Sequence, residues 1–300
     1  MHDHLARATA AASTVRAVAA VTTNTIDEAR RRQGTFPTAT AALGRVMTGA
    51  ALIASMLKDE QKITFQIKGN GPLREVVGDA DSYGNVRGYV GHPHIHLPSR
   101  AGKLDVGRAV GKKGTLSVIK DVGLKEPYRG IVPLVSGEVG EDLSYYFAVS
   151  EQQPSAVALG VLVMPDNSVA AAGGYIVQPL NGAEDWVLDK IEDNISKIPP
   201  VSDMVNTGST AEEMLESVLD SFDIEFKEHR DIRFSCSCSR ERAERTLAAL
   251  GIKEIREMVS EAKDVELYCN FCGELYVFSI DDLRLIIENI KERSGLRRVD

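Results

Sequence analysis

Ile63-Thr64-Phe65-Gln66-Ile67-Lys68, running into Gly69-Asn70-Gly71, is the stretch where the chain changes its period. Ile63, Phe65 and Ile67 alternate with Thr64, Gln66 and Lys68, as on a half-buried strand, and turn signals follow at Gly69-Asn70-Gly71 and Gly84-Asn85. Immediately upstream, 36–58 reads as a helix, because Leu43, Val46, Met47, Ala50, Ile53 and Leu57 recur at three- and four-residue spacing. Further strands are expected at 115–120, 143–150, 157–164 and 168–177, the last two joined across Pro165-Asp166-Asn167. An early helix, many strands and few strand-helix alternations predict an α+β domain of antiparallel sheets and packed helices over 1–178.

Beyond that domain the charge balance shifts. Residues 184–231 hold fourteen Asp or Glu against four Lys or Arg, a net of −10 in a chain whose formal charge is −8. Trp186, Val187, Ile191, Ile195 and Ile198 share one helical face, and Pro199-Pro200 stops that helix. Thr210 with Glu213 then forms a capping box ahead of Met214, Leu215, Val218, Leu219 and Phe222. Short helices with so many like charges depend on tertiary packing. Residues 179–231 therefore read as a helical, conditional linker, with Trp186 expected to anchor it against the first domain.

Composition excludes several classes. At 300 residues, with 43 % hydrophobic and 26 % charged content, the chain can build a core without disulfide staples. A pI near 5.4 argues against a protein built to hold phosphate backbones, so no nucleic-acid partner is expected. No stretch offers the roughly 18 apolar residues that span a bilayer, so no membrane association is expected. Asp3, His4, Arg7 and Arg16 interrupt the Ala-rich start, which therefore does not read as a signal peptide. The protein is read as cytoplasmic, and in that reducing compartment four cysteines point to metal or redox chemistry.

All four cysteines lie in a third region, 232–300, with helices expected at 240–250 and at 281–292. The second is capped by Ser279 and carries Leu283, Ile286, Ile287 and Ile290. Cys236-x-Cys238 and Cys269-x-x-Cys272 can place four sulfurs on a tetrahedron suited to one Zn²⁺, in a closed shell without a position for substrate. Cys269-Asn270-Phe271-Cys272-Gly273 resembles a zinc knuckle. Such a site fits either a purely structural ribbon or a redox switch. The one-residue gap of the first couple is unusual for a plain ribbon, and each couple is short enough in sequence to close on itself as a disulfide. Bound cysteines are already thiolates, the form that attacks oxidants. Losing the ion would remove roughly 10 to 16 kcal/mol of apparent stabilisation from a small domain.

At this point the sequence resembles the redox-regulated heat-shock chaperones of about 33 kDa. The resemblance rests on Phe234-Ser235-Cys236-Ser237-Cys238-Ser239-Arg240-Glu241-Arg242 and Tyr268-Cys269-Asn270-Phe271-Cys272-Gly273. Ala42-Leu43-Gly44-Arg45, Gly69-Asn70-Gly71-Pro72-Leu73 and Gly173-Gly174-Tyr175-Ile176-Val177-Gln178 extend it over essentially the whole chain. It implies an ATP-independent holdase, not an enzyme, that is inactive when reduced and zinc-bound. It further implies that oxidation forms the disulfides Cys236 to Cys238 and Cys269 to Cys272, releases zinc and unfolds the linker. Unfolding client proteins are then the partners, and the active form is commonly a homodimer.

Other features carry less. His92, His94 and His96 alternate and could share a metal, but Pro93 and Pro98 favour a loop and no carboxylate lies near in sequence. Gly69-x-Gly71 and Gly111-Lys112-Lys113-Gly114-Thr115 lack the full spacing of phosphate loops and read as turns. Arg240, Arg242, Arg245, Lys253 and Arg256 are interleaved with Glu241, Glu244, Glu254 and Glu257, which describes a solvated, ion-paired face. Two competing readings remain, a thiol-disulfide oxidoreductase using Cys269-x-x-Cys272 and a zinc-ribbon nucleic-acid binder. Neither accounts for the acidic segment.

Overall fold

A computed structural model describes residues 2–58, 60–124 and 126–293. The chain divides into two compact units, one through Ser235 and one from Cys236.

The first unit begins with a hairpin of β1 (His4–Ala10) and β2 (Val15–Val21), followed by α1 (Thr23–Gln33) and α2 (Pro37–Ala54). Strands β3 (Lys62–Gly69), β4 (Glu75–Asp81) and β5 (Asn85–Val90), helix α3 (Val106–Val110), strands β6 (Gly114–Asp121) and β7 (Tyr128–Pro133) and helix α4 (Val139–Val149) come next. The long strands β8 (Ala156–Val163) and β9 (Val169–Pro179) precede helices α5 (Asp185–Lys197), α6 (Val201–Asn206) and α7 (Ala211–Val218) and strands β10 (Ile224–Asp231) and β11 (Arg233–Phe234).

Two sheets result, of order β10-β1-β2-β9-β8 and β11-β5-β4-β3-β6-β7. Every pairing in them is antiparallel except β11 with β5. The expected α+β class and the hairpins around Gly69-Asn70-Gly71 and Gly84-Asn85 are therefore present.

Helix α2 lies between the sheets and is buried almost all round, because small residues let both backbones approach it. A Cβ placed on Gly44 would sit 2.8 Å from Ile26 and from Val161 of β8. On the opposite sheet, Gly78 and Gly88 face Val46 and Met47 of the helix. The central core joins α2 to Ile63, Phe65 and Ile67 on one side and to Val18, Ala20 and Ile176 on the other. The period-two stripe of β3 is what buries it.

A second, separate core lies on the outer face of the five-stranded sheet. Ala6, Ala8, Ala10, Ala17 and Ala19 alternate onto that face beside Tyr175 and Val177. Val187 and Ile191 of α5, Val201 and Val205 of α6, and Met214, Leu215 and Val218 of α7 cover it. The capping box at Thr210 and Glu213 is formed in full. Asn194 donates from its buried amide to the carbonyls of Val218 and Asp220 at 3.1 and 2.9 Å, fastening α5 to the end of α7. The acidic segment thus covers an alanine-rich sheet face.

Three local expectations are changed, and one stretch given no element from the sequence gains two. Residues 143–150, expected as strand, form α4, because Val139, Leu143, Tyr146 and Phe147 fall on one helical face and Asp142 accepts amides from Val135, Ser136 and Gly137. The Ala-rich start forms β1 and β2, whose low side-chain bulk hides the period. The acidic segment ends in strand β10, which extends the sheet at β1. Trp186 is 57 % exposed with its ring against Phe222, and Val187 and Ile191 make the anchoring contacts in its place.

The second unit contains α8 (Arg240–Leu250), α9 (Ile252–Ser260), a hairpin of β12 (Val265–Tyr268) and β13 (Leu275–Phe278), and α10 (Ile280–Arg293). Its core is short, with Ala243, Leu247, Ile255, Phe278, Leu283, Ile286 and Ile287 buried. Residues 294–300 of the expected third region lie outside the described residues.

Candidate functional site

The two cysteine couples reach one point in the second unit by different local devices. Cys236 and Cys238 lie in the extended segment leading into α8, whose N-cap Ser239 accepts from the amide of Arg242 at 3.3 Å. Cys269 and Cys272 occupy the turn between β12 and β13, where the amide of Cys269 donates to the Glu274 carbonyl at 2.9 Å and that of Gly273 to the Cys269 carbonyl at 2.8 Å. Gly273 has φ of +72°, a left-handed conformation that a Cβ would strain. This is the knuckle expected from the sequence.

Ligand atoms of all four cysteines lie within 4.8 Å of one another. The Cys236 and Cys269 sulfurs are 3.7 Å apart and those of Cys238 and Cys272 3.3 Å. A tetrahedral tetrathiolate ion with bonds of about 2.3 Å has sulfur-to-sulfur edges near ~3.8 Å, so the arrangement fits such an ion. None of the four forms a disulfide, and Cys272 is buried at 7 % exposure.

Electrostatics explain why a cation belongs among them. Burial raises the Cys269 and Cys272 thiols, although backbone amides of Phe271, Cys272 and Glu274 point at their sulfurs. Burial also acts against ionisation of Cys236, but the Cys238 amide and the neighbouring sulfurs outweigh it and bring that thiol below its ordinary value. The Tyr276 hydroxyl bonds the Cys238 sulfur and is itself pushed up by that contact. Four crowded sulfurs can carry several negative charges at once when a metal ion sits among them. The amides and Tyr276 form a supporting layer that sequence spacing did not mark, apart from Gly273.

The other sequence candidates are not brought together. His92 faces the Pro72 carbonyl at 2.8 Å, His94 packs on Phe36, and His96 meets Thr38 at 3.1 Å, so each ring has its own local contact. The two glycine-rich loops bond each other: Asn70 donates to the Lys113 carbonyl, Lys113 to the Asn70 side chain, and Gly71 to the Val110 carbonyl. Those backbone groups are spent on a double turn. Arg240 lies over the Phe278 ring at 4.5 Å and pairs with Asp282, so the start of the basic run is structural. No described helix is long and apolar enough to cross a membrane.

Comparison with known proteins agrees with this architecture. The family model described as Hsp33 protein matches residues 3–279. The 33 kDa chaperonin of Shouchella clausii is 48 % identical over 98 % of this chain and all of its own, and that of Bacillus cereus is 47 % identical over 97 % of this chain and all of its own. The crystal structure of the 33 kDa chaperonin (heat shock protein 33 homolog) from Thermotoga maritima superposes with a TM-score of 0.89 at 38 % identity, covering 97 % of this chain and 100 % of that one. A family model spanning residues 3–279 and relatives near half identity over nearly the whole chain place this chain in the Hsp33 chaperone family.

Proposed function

We propose that the protein is a redox-regulated, ATP-independent holdase of the cytoplasm that is not an enzyme. In this reading 1–178 binds clients, 179–231 is the switch linker, and 232–300 is the sensor. The observation that carries it is the four-cysteine cluster beside a core that has, among the described residues, seven buried hydrophobic side chains. Cys236, Cys238, Cys269 and Cys272 would hold one Zn²⁺ per reduced chain, which when bound supplies the positive charge and the cross-link that the small core lacks.

Oxidation removes that support. Two thiolates of one couple, two protons and one hydrogen peroxide give one S–S bond and two waters as the peroxide O–O bond breaks. A second peroxide serves the other couple. The pairs are Cys236 with Cys238 and Cys269 with Cys272, as the family resemblance implies. All four sulfurs lie within 4.8 Å of one another, so each couple can close on itself without a long movement. Disulfide sulfurs no longer hold the cation, and the second unit loses its fold.

The acidic segment is suited to the next step. It lies over an apolar, alanine-rich face through a core of its own and carries a net charge of −10. Its release would uncover that face for unfolding proteins, while the separate central core around α2 keeps the domain folded. The active form is taken as a homodimer, with no nucleic-acid or membrane partner.

The test follows zinc and suppression of thermal aggregation of an unrelated protein, without ATP, before and after peroxide at raised temperature. Release of one zinc per chain with suppression switched on, and reversed by a thiol reductant, is the expected result. Retention of zinc, or unchanged aggregation, would leave a structural zinc site and overturn the switch.

A further inference from the structure

We propose a second metal site, for a divalent transition-metal ion, formed by His4 of β1, Glu212 of α7 and His229 of β10, far from the cysteines in sequence. The ligand atoms of these three residues lie within 4.8 Å of one another. His4 Nε2 is 3.0 Å from one carboxylate oxygen of Glu212, and His229 Nδ1 is 2.8 Å from the other. Two imidazoles and a carboxylate are a common donor set for such ions.

The sheet makes the convergence. Antiparallel register sets His4 opposite Asp231 and Ala6 opposite His229, so the two histidines are diagonal neighbours on one face. Their rings stack at 4.9 Å. The first turn of α7 brings Glu212 over the pair.

The tautomer of His4 is set by its other nitrogen. Nδ1 lies 2.9 Å from the His2 carbonyl, which can only accept, so Nδ1 carries the hydrogen. A carbonyl on the far nitrogen is the usual orienting partner of a metal-bound imidazole. Nε2 then faces a carboxylate oxygen of Glu212 3.0 Å away. The Ala211 amide donates weakly to the same nitrogen at 3.3 Å, a contact that an ion would replace. An ion shared between that nitrogen and the carboxylate fits this spacing. One divalent ion would serve both nitrogens and the carboxylate. His4 is buried at 6 % exposure while His229 is exposed, so the pocket has a wall and an entrance.

An ion here would tie α7 to both β1 and β10 and oppose release of the acidic segment, a consequence that rests on the switch reading of 179–231. Anything bound only to the packed form stabilises it by mass action.

The experiment titrates Zn²⁺ into the reduced full chain already holding one equivalent on its cysteines. A second, weaker equivalent is expected, and His229→Ala and Glu212→Gln should each weaken it by more than the roughly 10- to 100-fold that loss of an outer partner costs. In the unsubstituted protein, substoichiometric Co²⁺ at that equivalent should broaden the imidazole resonances of His4 and His229 and leave those of His92, His94 and His96 sharp. Absence of a second equivalent, as when a proton alone fills the gap, or broadening at the other histidines overturns the site. Binding that slows amide exchange in α7 without raising the peroxide needed for activation would keep the site and remove the switch reading.

Discussion

Replacing Leu215 by alanine should open the acidic segment while leaving the domain beneath it folded. Leu215 is fully buried, at 0 % exposure, in the core between α7 and the alanine-rich face of the five-stranded sheet. Truncating a buried leucine costs about 2 to 5 kcal/mol. Roughly 3 kcal/mol, applied to local opening, shifts that equilibrium about 150-fold. The effect should stay local because the core around α2 has no buried residue in common with this one. Amide exchange reads it directly: protection over 185–219 should fall by about that factor in L215A, while β3 and β4 keep theirs. Less peroxide should then be needed to switch on aggregation suppression. Leu43→Ala, the same truncation at 0 % exposure inside the central core, should lower protection across both sheets. If L215A loses protection evenly over the first unit, the two cores unfold as one, and the proposed release of 179–231 alone is wrong.

The other predictions probe separate parts. Thr210→Ala removes the capping box of α7 and should cost about 1 kcal/mol, a weaker copy of L215A in the same exchange experiment. Gly44→Ala places a Cβ 2.8 Å from Ile26 and Val161, side chains held on both flanks of α2, and should destabilise by about 1 to 3 kcal/mol in urea unfolding. Burial works against the Asp27 carboxylate, but Arg30 at 2.7 Å and the Val169 amide at 3.1 Å outweigh it and hold its pKa below the ordinary 3.8. A lowered folded-state value means stability that is present above the ordinary value and lost as pH falls through it. Asp27→Asn should therefore cost about 1 kcal/mol at neutral pH, discounted for partial exposure, and the difference should shrink below about pH 4 in unfolding curves. Stripping zinc from the reduced protein with a chelator should unfold 236–293, seen as lost protection in α8 and α10, without loss in β3 to β6.

Parts of the fold were legible because local side-chain pattern and tertiary role coincide. On β3, Ile63, Phe65 and Ile67 are large, alternate with polar residues and are the residues that meet α2. Ser279 and the apolar spacing of Leu283, Ile286 and Ile287 marked α10 for the same reason. Strands β1 and β2 were illegible because alanine at 6, 8, 10, 17 and 19 is small enough to be buried under close-packed helices yet carries little strand preference. Helix α4 misled because Tyr145, Tyr146, Phe147 and Val149 are typical strand residues, while the Asp142 carboxylate that gathers three loop amides ahead of it is a tertiary feature.

The contrast between the two histidine and cysteine clusters has the same origin. Cys269 and Cys272 are set by one short turn and Cys236 and Cys238 by the extended lead into α8, so the spacing of two and three residues already keeps each couple together, and a single tertiary meeting completes the site. His4 and Glu212 stand 208 positions apart, and their meeting depends on the β1 and β10 register and on where α7 starts. No local spacing encodes that. The strand pairing that brings His229 beside His4 also ends the acidic segment at the sheet edge. If the segment is released and replaced as proposed, contacts that form only when the whole of it is in register favour its return. His4, Glu212 and His229 meet that condition, because slipping β10 by one residue turns His229 to the opposite face of the sheet and separates the two imidazoles.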